Sequence, residues 1–275
     1  MFPPRRLGTL TRPDCTIAYE VTGEGPAIIF AHGLGGNHMS WFQQVAHFAT
    51  NHTCVTFAHR GFYPSSMPPG GPNPQDYADD LEALIAHLGL TEFRLVAQSM
   101  GGWTCVEYAL RKPAGLRAMV LAATTGALDV RRLPAEFLPR LAAWEAASGQ
   151  AMAAYMKDNI HPAAGLRMQA EQPAMHLLYK HIDDQNAALD KQTLRMRLMQ
   201  ARDRAPQDLS RVACPVLLIG NAEDMVIPAV GLEGVAAVNA NARFALIEKA
   251  AHSAYFERPA EFNRLVEDFL TEVSV

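Results

Sequence analysis

Residues 94–103 read RLVAQSMGGW, and this stretch decides the fold. Its first half, RLVAQ at 94–98, is a short run that predicts a strand, and residues 100–111 have the spacing of a helix. Ser99 therefore stands at a sharp turn between a strand and a helix. Such a turn raises the serine Oγ above the sheet and requires small neighbours, which Ala97 and Gly101 are.

Strands and helices alternate on both sides of this turn. The other strands are predicted at 16–22, 27–31, 54–58, 118–123, 215–220 and 243–248. The other helices are predicted at 41–48, 76–88, 229–238 and 259–271. This alternation is typical of right-handed βαβ units, so the predicted fold class is α/β, with a mostly parallel central sheet covered by helices on both faces.

One long segment interrupts the alternation. Between Gly126 and Pro206 only helical periodicity is present. Helices are predicted over 135–147, 150–158, 164–180 and 185–203, with breaks at Pro139, Gly149, Pro162 and Pro173. The simplest interpretation is a core domain of residues 1–126 and 207–275 with an inserted helical cap, 127–206. A cap of this kind would cover the carboxyl edge of the sheet, where open α/β sheets bind ligands.

Composition excludes several classes of protein. The 275 residues include 24 Lys and Arg against 28 Asp and Glu, a formal charge of −4. This balance argues against a partner that is a nucleic acid or a membrane surface. No apolar run is long enough for a membrane span, and the four scattered cysteines, at 15, 54, 105 and 214, are expected to be free thiols. We therefore expect a cytoplasmic protein.

Four further positions connect the serine turn to a known family. His32 and Gly33 follow the strand at 27–31, Asp224 follows the strand at 215–220, and His252 follows the strand at 243–248. With Ser99 they make the chain resemble the α/β-hydrolase fold family over nearly its whole length, in its branch of capped esterases and lactonases. The order Ser, Asp, His is the one that this fold uses.

Other segments share the resemblance, and two positions depart from it. The Arg60-Gly61 turn, the spacing from Asp224 to Pro228 and the stretch 251–263 are similar to the family pattern. The family usually has glycine where Ala97 stands, and an aspartate where Ala58 stands before His59. The second departure predicts that the loop after the strand at 54–58 is held differently.

The three polar residues have separate chemical tasks. A serine hydroxyl must lose its proton as it attacks a carbonyl carbon, and an imidazole can take that proton and return it to the leaving group. We assign these roles to Ser99 and His252. A carboxylate fixes the imidazole tautomer, and we assign this role to Asp224, with Glu223 as its nearest rival.

An oxyanion hole is expected beside the serine. The resemblance implies that its donors are the backbone N–H groups of Leu34 and Met100. The glycines of 33–36 could also form a phosphate cradle, but the sequence lacks both the GxGxxG spacing and the GxxxxGK[ST] lysine. Nucleotide binding is therefore disfavoured, and neither a cofactor nor a metal is expected.

The predicted activity is hydrolysis of a small to medium hydrophobic carboxylic ester or lactone through an acyl-enzyme. Ser99 counts against dehalogenases and epoxide hydrolases of this fold, which use an aspartate nucleophile. Carbon–carbon bond hydrolases of ring-fission products, cofactor-free haloperoxidases that act as perhydrolases, and a non-enzymatic small-molecule receptor stay open. The expected partner is a small molecule, and the oligomeric state is not predicted.

The cap offers candidates for contact with the substrate. Its aromatic and methionine side chains can form an adaptable apolar surface. The substrate-binding candidates are Trp144, Tyr155, Met156 and Tyr179. The acidic and basic residues of 183–204 are interpreted instead as solvated helix faces. His32 is interpreted as a packed histidine that braces the oxyanion loop.

Overall fold

A computed structural model describes residues 2–273 and contains one eight-stranded sheet. The strands are β1 (Arg5–Thr11), β2 (Thr16–Thr22), β3 (Ala27–Ala31), β4 (Thr53–Phe57), β5 (Phe93–Gln98), β6 (Leu116–Ala122), β7 (Val216–Asn221) and β8 (Ala242–Ile247). Their order in the sheet is β1-β2-β4-β3-β5-β6-β7-β8. β2 runs antiparallel to both of its neighbours, and the pairs from β4 to β8 are parallel.

The α-helices connect these strands. They are α1 (Phe42–Phe48), α2 (Tyr77–His87), α3 (Gly101–Ala109), α4 (Leu138–Lys157), α5 (Gly165–Glu171), α6 (Pro173–Asp184), α7 (Lys191–Gln200), α8 (Ala229–Ala237), α9 (Ala254–Glu257) and α10 (Pro259–Glu272). None of those helices, within the part of the chain that the structure describes, is long and apolar enough to cross a membrane.

The central strands are buried on both faces. Every residue of β3, β5 and β7 is buried. Helices cover the two sides of the sheet, so alternate side chains of each strand enter two different apolar clusters. This is why these strands read in the sequence as continuous apolar runs. The α/β fold class with a mostly parallel sheet is confirmed.

The structure corrects two predicted features. β1 (Arg5–Thr11) was not predicted, because it is an edge strand of which only Leu10 is buried. The break expected at Gly149 is wrong, since α4 continues through that position. A Cβ at Gly149 would meet nothing within 4 Å, so no packing constraint requires a break there. A glycine in an exposed helix costs only about 1 kcal/mol and does not by itself end the helix.

Helices α4 to α7 lie between β6 and β7, within residues 127–206, hereafter the helical segment. Its two ends lie side by side, because Leu128 pairs with Arg204 in an isolated parallel bridge. The Asp129 N–H donates to the Arg204 carbonyl at 2.8 Å, and the Arg204 N–H donates to the Ala127 carbonyl at 3.1 Å. We propose that this closure marks the helical segment as a cap inserted into the core domain.

The Arg60-Gly61 turn has a structural task. Arg60 is 4% exposed and binds the Asp80 carboxylate through two hydrogen bonds, of 2.6 and 2.7 Å. It also reaches Asp14 and Asp76, each at 3.0 Å. Since Asp80 lies on α2, the arginine ties the loop after β4 to that helix. Removing one partner of such a buried ion pair typically costs about 3–5 kcal/mol.

Candidate active site

Ser99 lies in a strained turn between β5 and α3. Its φ is +50°, in the left-handed region that non-glycine residues rarely adopt. The turn is close to β3, since a Cβ on Gly101 would lie 2.2 Å from the Ala31 carbonyl oxygen. A Cβ on Gly102 would lie 2.3 Å from Thr124 Oγ1. Glycines are therefore required after the serine, and backbone strain of this kind, about 1–3 kcal/mol, clusters at functional sites.

His252 and Asp224 form a buried pair. His252 Nδ1 and Asp224 Oδ2 are 2.8 Å apart, and the two residues are 3% and 2% exposed. The other carboxylate oxygen of Asp224 accepts the N–H groups of Val226 at 2.7 Å and Ile227 at 2.9 Å. With Nδ1–H donating to the carboxylate, the imidazole Nε2 keeps its lone pair and can accept a proton.

Glu223, the rival carboxylate, points elsewhere. It accepts hydrogen bonds from Arg167, which approaches to 2.5 Å, and Arg167 lies on α5 of the helical segment. Among residues 2–273 no ion pair or hydrogen bond joins the Glu223 carboxylate to the His252 ring. The arrangement therefore favours Asp224 as the partner of the imidazole.

Ser99 and His252 lie on the wall of one cavity of about 390 Å³. Gln98, beside the serine, donates from its amide to the His252 carbonyl at 3.2 Å. Within residues 2–273 no hydrogen bond joins Ser99 Oγ to the His252 ring. In enzymes without substrate this contact is often long, and it tightens when the substrate binds.

The two residues expected to supply the oxyanion donors lie at the same cavity. Leu34 and Met100 both line it. Among the described residues, neither N–H group has a hydrogen-bond acceptor. The loop that carries Leu34 also lies close to the nucleophile, because a Cβ on Gly33 would come within 3.0 Å of the Ser99 Cβ. Unpaired N–H groups beside a serine are what an oxyanion hole requires.

A chain of hydrogen bonds holds the loop with Leu34 in place. His32 Nδ1 donates to the Gly33 carbonyl at 2.8 Å. Its Nε2 accepts from the backbone N–H and from Nδ1 of His59, both at 3.0 Å, and the Thr104 hydroxyl donates to His59 Nε2 at 2.8 Å. The Gly33 carbonyl and the Leu34 N–H belong to one planar peptide unit. Fixing that carbonyl therefore fixes the direction of the N–H.

Burial keeps both histidines neutral. Desolvation lowers the pKa of His32 to about 3, and it lowers the pKa of His59 well below the usual histidine value. In the unfolded chain both rings take up a proton near pH 6.5. Between that pH and the folded pKa the unfolded state binds more protons, so the free energy of unfolding falls as the pH is lowered.

We expect acid to destabilise the protein through these two rings. Each contributes at most about 1.4 kcal/mol per pH unit below pH 6.5. Urea unfolding at pH 7.5 and 5.5 measures the loss for the wild type and for the His59→Asn variant. The variant should lose about 1 kcal/mol less than the wild type over this interval. An equal loss in both proteins would show that His59 does not carry this pH dependence.

The structure separates the four predicted substrate-binding residues. Tyr179 lines the cavity, whereas Trp144, Tyr155 and Met156 do not. The Trp144 indole N–H donates to the backbone carbonyl of Asp224 at 2.7 Å, so this side chain contacts the acid residue and not the cavity. Tyr155 lines a separate depression, and Met156 is 74% exposed. For these three residues the expectation of substrate contact is therefore revised.

Charged side chains that the sequence interpretation assigned to solvated helix faces line the cavity instead. They are Asp183, Lys191, Arg195 and Arg202, all in the helical segment. Their spacing in the sequence does not differ from that of an exposed helix. Only the packing of the helical segment against the core makes them part of the site.

Other nucleophile and metal candidates are weak. All four cysteines are buried, and desolvation raises the pKa of the Cys54 and Cys214 thiols to about 12, so these thiols are not reactive at neutral pH. Among residues 2–273, no group of three or more His, Cys, Asp or Glu side chains is placed to hold a metal ion.

A family model and several known proteins match this chain. A family model described as alpha/beta hydrolase fold matches residues 26–259. A Mycobacterium tuberculosis protein, provisionally named as the non-heme bromoperoxidase BpoC, is 29% identical over 94% of this chain and 98% of its own length. The 3-oxoadipate enol-lactonase 2 of Acinetobacter baylyi is 27% identical over 94% of each chain.

A solved structure shows the same fold. A thermophilic esterase from Thermogutta terrifontis superposes with a TM-score of 0.76 and 20% sequence identity. The match covers 98% of this chain and all of that chain. The overall fold of this chain is thus one that another protein of known structure shares.

Proposed function

Because the chain belongs to the alpha/beta hydrolase fold family, we propose that it is a serine hydrolase that cleaves a carboxylic ester or lactone through an acyl-enzyme intermediate. One observation carries the proposal. The strained Ser99, the His252–Asp224 pair and the unpaired N–H groups of Leu34 and Met100 meet at one cavity.

In the first half of the reaction the substrate transfers its acyl group to Ser99. Its Oγ attacks the carbonyl carbon while its proton passes to His252 Nε2. The carbonyl oxygen becomes an oxyanion between the N–H groups of Leu34 and Met100, each worth about 3 kcal/mol of the barrier. As the carbon–oxygen bond to the leaving group breaks, His252 returns the proton to the departing alcohol.

In the second half, water releases the acid. His252 removes a proton from a water molecule, whose oxygen attacks the acyl carbon of the Ser99 ester. A second oxyanion forms in the same place, and it collapses as the proton returns to Ser99 Oγ. Asp224 stays ionised throughout and stabilises the imidazolium.

The relatives support an ester or lactone as the substrate. The Acinetobacter baylyi protein is named an enol-lactonase, and the Thermogutta terrifontis structure is that of an esterase. A related Rhizobium rhizogenes protein, 27% identical, is provisionally named a carbamate hydrolase, RutD. All three names describe hydrolysis at a carbonyl carbon bonded to a heteroatom.

A substrate panel tests the proposal. We expect p-nitrophenyl acetate, butyrate and hexanoate, or a series of five- and six-membered lactones, to be hydrolysed at least about 10³-fold faster than in buffer. Release of p-nitrophenolate and titration of the liberated acid measure the two series. Turnover no faster than in buffer for every member, together with ligand binding without consumption, would favour a receptor instead.

A second activity is favoured by the Mycobacterium tuberculosis relative with the bromoperoxidase name. If hydrogen peroxide replaces water in deacylation, the Ser99 acyl group leaves as a peracid. The peracid then oxidises bromide to hypobromite and becomes the carboxylic acid again. Bromination of monochlorodimedone should then require acetate as well as peroxide. Bromination without any carboxylic acid would exclude this route.

A further inference from the structure

The cavity that holds Ser99 has an excess of positive charge. Its wall includes three cationic side chains from the helical segment, Lys191, Arg195 and Arg202. Among the described residues that line it, Asp183 is the single carboxylate. A cavity for a purely apolar ester does not need these charges, because burying a charge without a partner is costly.

The carboxylate on the wall is already occupied. The Asp183 carboxylate accepts a hydrogen bond from the Lys191 ammonium at 2.6 Å and lies 3.4 Å from His161 Nε2. Within residues 2–273 neither Arg195 nor Arg202 forms an ion pair. The two guanidinium groups therefore lack an ion-pair partner at this wall, where Arg195 is exposed and Arg202 is partly buried.

Arg202 is held in a defined position beside the nucleophile helix. Its guanidinium carbon lies 5.0 Å from the centre of the Trp103 ring, a cation–π contact. Trp103 lies in the first turn of α3, directly after the Ser99 turn. Asp129, whose charge also acts on Arg202, is bound by Arg131 through two hydrogen bonds of 2.8 and 3.0 Å.

Both of these stacked side chains present a donor without an acceptor. Arg202 Nε and Trp103 Nε1 are buried, and neither has a hydrogen-bond partner among residues 2–273. Buried donors are normally paired, and an unpaired one costs about as much as a lost hydrogen bond. The guanidinium of Arg202, which also lines the cavity, is planar and matches the two oxygens of a carboxylate.

Resting on the function proposed above, we propose that the substrate carries a second group, a carboxylate, which Arg202, held against the Trp103 ring, receives while Ser99 attacks the ester or lactone carbonyl. Arg195 adds a charge at the same wall. Because Trp103 follows the nucleophile by only four residues, the proposal places the two groups of the substrate a few carbons apart. The substrate class is therefore a half-ester or lactone of a short dicarboxylic acid, not the neutral hydrophobic ester expected from composition.

Matched substrates test this proposal through a ratio. Mono-p-nitrophenyl glutarate and p-nitrophenyl pentanoate have acyl chains of equal length and differ in the terminal carboxylate. With spontaneous hydrolysis subtracted, we expect kcat/KM to favour the glutarate at least tenfold in the wild type. In Arg202→Gln the ratio should fall tenfold or more, the effect of one charge-assisted hydrogen bond.

A surface arginine supplies the control. Arg264 pairs with Asp268 on the exposed face of α10 and does not line the cavity. Arg264→Gln removes the same charge from the protein and should keep the wild-type ratio. A wild-type ratio near one, or an unchanged ratio in Arg202→Gln, would overturn the proposal while leaving the ester hydrolysis intact.

A binding measurement separates this proposal from the catalytic one. Isothermal titration of Ser99→Ala with N-phenylglutaramic acid and with N-phenylpentanamide compares an anionic and a neutral ligand without turnover. We expect the acid to bind at least tenfold tighter, and Arg202→Gln in the same background to remove that difference. Tight binding of the acid without any esterase activity would support the anion site and refute the hydrolase. Equal binding of the two ligands would refute the anion site.

Discussion

Ser99→Ala is expected to lower kcat/KM for any substrate that the wild type hydrolyses by about 10⁴–10⁶-fold. The substitution removes the only atom that forms the acyl bond in the proposed reaction, and it leaves the His252–Asp224 pair and the N–H donors in place. Residual rate would come from binding and from those donors alone. Steady-state release of p-nitrophenolate with the best ester of the panel measures the loss.

The control for this variant is a serine outside the cavity. Ser210 is exposed, and its hydroxyl donates to the Gln207 carbonyl at 2.8 Å. Ser210→Ala should retain activity within about twofold, and both variants should give the far-UV circular dichroism of the wild type. Retention of more than a tenth of the activity by folded Ser99→Ala would remove Ser99 from the mechanism.

Asp224→Asn is expected to lower kcat by about 10³–10⁴-fold. The asparagine oxygen can still accept the N–H groups of Val226 and Ile227, so the loop should keep its shape. The amide NH₂ would then face His252 Nδ1 and donate to it. That contact favours the tautomer with hydrogen on Nε2, which cannot accept the serine proton.

The rival carboxylate is the matched control for Asp224. Glu223 precedes Asp224 directly, but its carboxylate binds Arg167. Glu223→Gln should keep kcat within about threefold, because an exposed ion pair contributes little. If Glu223→Gln lost as much activity as Asp224→Asn, the assignment of the acid would be wrong.

The serine turn could be predicted from the sequence because its constraints are local. The strand before Ser99 is a continuous apolar run since both faces of the sheet are covered. The glycines after it are required because Gly101 packs against the Ala31 backbone. Each of these requirements selects a residue type at a fixed distance from Ser99, so the pattern identifies the turn.

The first strand could not be predicted in the same way. β1 (Arg5–Thr11) pairs with β2 through backbone hydrogen bonds from Arg5 opposite Thr22 to Thr11 opposite Thr16. Its side chains are mostly exposed, so the sequence lacks the alternation of apolar and polar residues that would indicate a strand. The continuous α4 is the opposite case, since Gly149 looks like a break in the sequence but lies on an open helix face.

The wall of the cavity depends on contacts between distant segments. Arg202 meets Trp103 across 99 positions of the chain, and nothing near either residue in the sequence indicates the other. Met156 fits a substrate contact by residue type but is exposed, because α4 turns it away from the core. Residue type thus indicates what a side chain can do, whereas long-range packing decides whether it reaches the site.

Covalent trapping tests the central claim most directly. Diethyl p-nitrophenyl phosphate transfers its phosphoryl group to an activated serine and releases p-nitrophenolate. We expect one p-nitrophenolate and one diethylphosphoryl group per chain, located on Ser99 by peptide mass spectrometry, and no labelling of Ser99→Ala. Labelling of a different residue, or full esterase activity after Ser99 is blocked, would contradict the account.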